Sequence, residues 1–212
     1  MYLGRIVAIA RTQAGRNCAM YRVSSRSFPN REAVLHHQQV AIMPRAGFEG
    51  DLRKNPYITY NCVRIAGEFA VVSNGSHTDP IAEKIAMNMP VRDAMALGLL
   101  AMDYEKDSLD TPRIVAAVHR VLPVGFLGIV RKDALQVREF TLAAGQAIYL
   151  STYECNYPCE AHADAAFDAG SAAAAARYAV SGGVFAGFEH PVTAAAALAG
   201  DAAFELAALP QL

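Results

Sequence analysis

The order of apolar runs predicts an α+β fold: two mainly antiparallel sheets packed together with helices on their outer faces. Three observations carry this. Short strand-like apolar runs fill the chain up to about residue 73 and return after Pro112. Helical periodicity appears between those two sets, over residues 79–102. Residues 161–212 are dense in alanine, which allows close packing of helices on sheets. The resulting order is strands, two helices, strands, two helices. A single α+β layer pair is the simpler alternative. No internal repeat or linker-like stretch divides the chain, so residues 1–212 are expected to form one domain.

Residues 2–11 are almost continuously apolar, as in a strand covered on both faces. A second strand is expected at 17–25 after a hairpin turn at 14–17, and a third at 38–43. Residues 63–65 and 69–73 flank Gly67, the pattern of another hairpin. The first helix is expected to start with Asp79 as N-cap and Pro80 at its first position. Its Ile81, Ile85 and Met89 recur on one face. The second, roughly 91–102, is apolar nearly all round and belongs between layers. Strands are then expected at 114–121, 124–130, 135–140 and 147–152. Residues 171–180 and 192–198 read as two short alanine-rich helices.

The net charge of −1 argues against a nucleic-acid partner, yet it hides an asymmetry. Residues 1–64 hold ten Lys/Arg against three Asp/Glu, and the remainder nine against seventeen. The arginines are spaced by apolar stretches, which suits a focused anion site on a folded scaffold. No run of 18 or more apolar residues suggests a membrane span, and the first residues do not resemble a signal peptide, so the cytoplasm is the expected location. Cys18, Cys62, Cys155 and Cys159 are expected to be free thiols. Cys155, Cys159 and His162 have half of a zinc-site spacing but lack a second ligand pair, and read as ordinary loop residues.

Four polar clusters interrupt the scaffold, each where a strand or helix ends. The first runs from Arg22 to Arg31, with Ser24, Ser25 and Arg26 between. Guanidinium forks and hydroxyls in this density suit a small, multiply charged ligand, although scattered surface pairs would also use them. The second holds Tyr57, Tyr60, Asn61 and Arg64. The third, Ser73-Asn74-Gly75-Ser76-His77, leads into a helix N-terminus, where unpaired N–H groups favour an anion. A plain capped turn is its alternative use. The fourth, Asp103-Tyr104-Glu105-Lys106-Asp107, places acids against a helix C-terminus, an unfavourable position that Lys106 can offset.

In this order, YRVSSRSFPNR, NPYITYNCVR, SNGSHTD and AMDYEKD followed by TPRI resemble the archaeal-type IMP cyclohydrolases. The opening MYLGR and EHPVTAAAA at 189–197 fit as well. The match is clear to about residue 115 and fades over 116–185. The resemblance implies a four-layer α/β/β/α sandwich, similar in fold to the N-terminal-nucleophile hydrolases. It implies closure of the second purine ring: 5-formamidoimidazole-4-carboxamide ribotide gives IMP and water, with a purine ribotide as the partner. That chemistry asks for a base, oxyanion donors and an acid, and for no metal or cofactor.

From the chemistry, Arg22, Arg26 and Arg31 are expected on phosphate and oxyanion, joined by Ser24, Ser25, Asn74, Gly75, Ser76, His77 and Arg113. Tyr60 and Asn61 would orient the reacting groups, while Tyr104, Glu105 and Lys106 would move or stabilise protons. A homo-oligomer is expected. Two other readings stay open: an amide hydrolase on the same fold, and a non-catalytic purine-nucleotide-binding protein. A terminal Ser, Thr or Cys would favour the hydrolase, whereas this chain offers Met1-Tyr2.

Overall fold

The computed structural model describes residues 1–209, which form two antiparallel sheets lying face to face. The first sheet contains β1 (Ile6–Arg11), β2 (Asn17–Ser24), β10 (Gln146–Ser151), β11 (Ala163–Asp164), β12 (Pro191–Ala199) and β13 (Phe204–Leu209). Their order across the sheet is β11-β10-β1-β2-β12-β13. The second is a meander in chain order: β3 (Arg31–His36), β4 (Gln39–Pro44), β5 (Tyr60–Ala66), β6 (Phe69–Ser73), β7 (Arg113–His119), β8 (Val124–Val130) and β9 (Leu135–Thr141). A one-turn helix, α1 (Asp51–Lys54), lies between β4 and β5.

Alternation along each strand builds three apolar layers. In β1, Val7 and Ile9 point between the sheets, where they join Tyr21, Ile42, Val72, Ile114 and Leu127. Ile6, Ala8 and Ala10 point the other way, onto α4 (Ala172–Ser181). On the outer face of the meander, Val71, Val115 and Ala117 meet α2 (Thr78–Ala86) and α3 (Val91–Met102) through Ile81, Met95 and Leu99. The order of layers is therefore α4, first sheet, second sheet, α2 with α3. This is the four-layer α/β/β/α arrangement expected above.

Four local expectations are corrected. The alanine-rich segment at 192–198 is strand β12, not a helix, and its edge neighbour β13 was not anticipated. Alanine favours helix locally, but here Val192, Ala195 and Ala197 fill the space between sheets while Ala194, Ala196 and Leu198 meet α4. Burial on both faces overrides propensity. β3 was also missed, because its outer half is exposed and carries no apolar alternation strong enough to announce it. β1 begins at Ile6; residues 2–5 form its lead-in. Finally, His77 is the N-cap of α2, and Asp79 lies inside the first turn. Asp79 has stronger partners there, since Asn61 Nδ2 donates to it at 3.0 Å and Arg64 Nη1 at 2.5 Å.

α3 crosses α2 closely because Gly98 has no side chain. A Cβ at that position would run into Ile81 Cγ1. Helix propensity alone would make Gly98→Ala stabilising by about 1 kcal/mol. Overpacking should reverse the sign, so the variant is expected to lose about 1–3 kcal/mol in urea unfolding. The loss should shrink in an Ile81→Ala background, and equal losses in both backgrounds would contradict the packing explanation.

Candidate active site

Loops at one end of the sandwich converge on a cavity of about 540 Å³. Antiparallel pairing explains the convergence. Ile6 at the start of β1 pairs with Arg22 near the end of β2 and with Ser151 at the end of β10. Residues just outside those ends therefore share one place: Arg5 before β1, Ser25 and Ser27 after β2, Tyr153 after β10. Arg31 opens β3, Tyr57 lies on a 3₁₀ turn before β5, and Glu105 follows α3. Lys54, Lys106 and Asp107 also line the cavity. A cavity of this size, lined by four cationic and two acidic side chains, suits a small anionic ligand.

Glu105 is buried and holds two arginines. Arg5 Nη2 donates to its Oε2 at 3.4 Å, and Arg113 Nη1 lies 3.8 Å from its Oε1. Burial raises its carboxyl to about 6, although both arginines pull it down. The folded state thus binds this proton more tightly than the unfolded chain does. Its contribution to stability declines as pH rises from the ordinary carboxylate range through about 6. Burial works against the charge of Arg5, but Glu105 together with Tyr153, Tyr21 and Tyr60 outweighs it and leaves Arg5 above its ordinary value. A carboxylate poised near neutrality is suited to take up and return a proton.

Arg5 also lies in the field of a buried tyrosine pair. The hydroxyls of Tyr21 and Tyr60 are 2.6 Å apart, and burial raises both above the usual phenol range. Both stay protonated at neutral pH, so one donates to the other and one proton remains to be donated elsewhere. Arg31 and Arg5 both exert their field on Tyr60. Arg31 Nε donates to the Phe28 carbonyl at 3.1 Å, and its Nη groups carry no hydrogen bond among the described residues.

The expected site residues divide. Ser25, Arg31, Glu105 and Lys106 line the cavity, whereas Tyr60 lies in the core between the sheets and is not part of the lining. Arg26 sits at the rim, over the ring of Tyr2 at 4.1 Å and 3.5 Å from Glu189. Arg22 is a correction. On β2 it faces α4 and not the cavity. It donates to Ser24 Oγ and to the carbonyls of Ala179, Val180, Phe185, Phe188 and Glu189. Burial lowers it to about 10. Ser24 is occupied by the same contact.

Asn61 points out of the sandwich toward Asp79, one position along β5 from the inward Tyr60. Tyr104 lies under the Lys106 ammonium, 3.4 Å from its ring centre, outside the cavity lining. Asn74 ties Pro112 to Ile114 through its amide, and Ser76 is exposed outside the lining. Gly75, His77 and Arg113 cluster behind the wall. Cys155, Cys159 and His162 belong to no group of three metal-binding side chains among the described residues.

Several lining residues were not named as site residues from the sequence: Arg5, Tyr2, Ser27, Lys54, Asn55, Tyr57 and Tyr153, although Ser27, Asn55 and Tyr57 fall within the first two polar clusters. Arg5 had one signal, the Gly4 before it. Gly4 has φ +73°, and a Cβ there would overlap Thr152 and Tyr153, so it lets the chain pass close to the β10 end.

The fold and cavity define an α/β/β/α protein with a cavity lined by four cationic and two acidic side chains at one end of the sandwich. Residues 2–202 match the family described as IMP cyclohydrolase-like protein, and the chain belongs to that family. It is 48% identical over 197 residues to the IMP cyclohydrolase of Methanosphaera stadtmanae, covering 93% of this chain and 94% of the relative. It is 59% identical over 155 residues to the IMP cyclohydrolase of Methanocella arvoryzae, covering 73% and 75%. With the IMP cyclohydrolase of Methanococcus maripaludis strain S2 the identity is 42% over 99% of this chain and all of the relative. No helix among the described residues is long and apolar enough to cross a membrane.

Arg22 provides a test of the division between structural and ligand-binding arginines. Arg22→Met would leave several buried carbonyls without their donor, at a cost of about 3 kcal/mol or more. Calorimetry is expected to show a Tm lower by roughly 6–12 °C, with IMP affinity of the folded protein unchanged. An unchanged Tm with affinity lost would return Arg22 to the ligand.

Proposed function

We propose that this chain closes the second purine ring, converting 5-formamidoimidazole-4-carboxamide ribotide to IMP and water. The observation that carries the reading is a buried carboxylate near neutrality, set beside arginine donors on a nucleotide-sized cavity. Family membership supplies the substrate class. The carboxamide nitrogen attacks the formyl carbon, and a C–N bond forms. Glu105 takes the proton leaving that nitrogen, while Arg5 and Arg31 stabilise the developing oxyanion. The amide proton and the formamido proton then leave with the formyl oxygen as water, one of them returned by Glu105.

Lys54, Lys106, Ser25 and Ser27 would receive the phosphate at the mouth, with Arg26 adding positive field at the rim. Both reacting groups sit on one ring, so the site's task is to hold a planar conformer. The arginines supply the charge stabilisation that a Lewis acid would otherwise provide, and the reaction is proposed to need no metal. An amide hydrolase would need an activated nucleophile. Ser25, Ser27 and Ser108 line the cavity, and none is hydrogen-bonded to a basic side chain among the described residues. The partner is a small purine ribotide.

The test is incubation with the formamido ribotide, following IMP absorbance. Turnover is expected with EDTA present at the rate seen without it; loss on chelation and recovery with zinc would contradict metal independence. Glu105→Gln should lower kcat by about 10². Its Tm at pH 7.5 should fall as well, because Arg5 and Arg113 lose the buried charge that compensates theirs. A falling Tm with unchanged kcat would make Glu105 a structural partner only. In the parent protein, kcat/KM should decline as pH falls through about 6, where the base becomes protonated.

A further inference from the structure

Glu105 uses one carboxylate oxygen toward Arg5. Its Oε1 is buried, carries no hydrogen bond, and lies 3.8 Å from Arg113 Nη1. Arg113 does not line the cavity and is only 4% exposed. The ring of Tyr57, which does line it, lies 5.5 Å from the Arg113 guanidinium carbon. The Nε and Nη1 of Arg113 have no hydrogen-bond partner among the described residues. Such a buried cation is costly unless a charge close by compensates it, and Glu105 is that charge.

The back of this guanidinium is shaped by the segment before α2. A Cβ on Gly75 would collide with Arg113 Nη1 and would lie 3.1 Å from His77 Nδ1. Gly75 is not in the left-handed backbone region, so space rather than φ explains the glycine. His77 Nε2 is 3.0 Å from the Ile114 carbonyl and must donate to it, which leaves Nδ1 as a lone pair. Burial, helped by the Arg113 charge, lowers His77 to about 3, so it adds no second cation.

We propose that Arg113, seated on Gly75 and His77, is a positioning residue for Glu105: it anchors the carboxylate from behind the wall and does not grip the ligand. This replaces the ligand-binding role expected for Arg113, Gly75 and His77. The kinetic part rests on the cyclohydrolase reading. Other charges act on Glu105 from Arg5 before β1, Arg31 on β3 and Asp107 on its own loop, while His77 stays neutral over the working range. Arg113 is the cation that approaches Oε1.

The test is a ¹³C NMR titration of the glutamate carboxyls in ligand-free protein, with Glu105 assigned from the Glu105→Gln spectrum. The parent midpoint is expected near 6. Arg113→Met should raise it by about one unit or more, because an opposite charge is removed. Arg113→Lys, which keeps the charge, should stay nearer the parent. Gly75→Ala should raise it without removing any charge, by displacing the guanidinium. Kinetics with the formamido ribotide should show the acid limb of kcat/KM moving with the midpoint and KM within about threefold of the parent.

An unmoved midpoint in Arg113→Met and Gly75→Ala would overturn the proposal. So would a KM raised about tenfold or more with the limb in place, which is the mark of a ligand contact. If Arg113→Met does not fold, Gly75→Ala and Arg113→Lys decide by the same readings. The titration needs no substrate, so it still decides if the parent fails to turn over the ribotide, a result that would count only against the proposed reaction.

Discussion

Placing a carboxylate at the end of an apolar sandwich imposes most of what surrounds it. Glu105 at 2% exposure would lose its charge near neutral pH if left alone, because burial favours the neutral form. Arg5 and Arg113 approach its two oxygens from opposite sheets: Arg5 precedes the first strand of one, Arg113 opens the fifth strand of the other. Their opposing effect leaves the group near 6, where it can work as a base. The arginines must themselves be housed. Gly4 and Gly75 are two places where the backbone makes room for this arrangement.

Arginine serves three distinct purposes in this chain. Arg22 is fully buried and spends its donors on main-chain carbonyls, so it ties the end of α4 and the following 3₁₀ turn to β2. Arg113 faces a carboxylate behind the cavity. Arg31, three residues beyond the carbonyl that fixes its Nε, keeps its outer donors for the cavity. All three look alike in sequence. Strand alternation separates them: inward from β2 are Tyr21 and Val23, so Arg22 and Ser24 must face α4.

Much of the fold was legible because periodicity is a local signal. α3 was bounded correctly, and β1 was recognised as covered on both faces, from apolar runs alone. The β12 error has the opposite cause. Its alanines prefer helix, and only neighbours on both sides convert them to strand. At the site, Glu105 and Lys106 stood out because acids at a helix C-terminus are unfavourable, and Arg31 because of the cluster it closes. Tyr60 and Asn61 were expected at the site together, but neither lines the cavity; which of the two faces inward depended on the pleat of β5, which turns Tyr60 between the sheets and Asn61 toward Asp79. Arg5, Tyr57 and Tyr153 were missed as site residues since they are brought together only by the pairing of distant strand ends.

The most direct measurement is a crystal structure with IMP bound. The account predicts the purine in the cavity at the β1–β2–β10 end, its pyrimidine edge within hydrogen-bond distance of Glu105 and its phosphate at the Lys54, Lys106 and Ser27 mouth. Arg22 and Arg113 should make no contact with it. IMP bound elsewhere, or bound here with its base turned away from Glu105, would contradict the account.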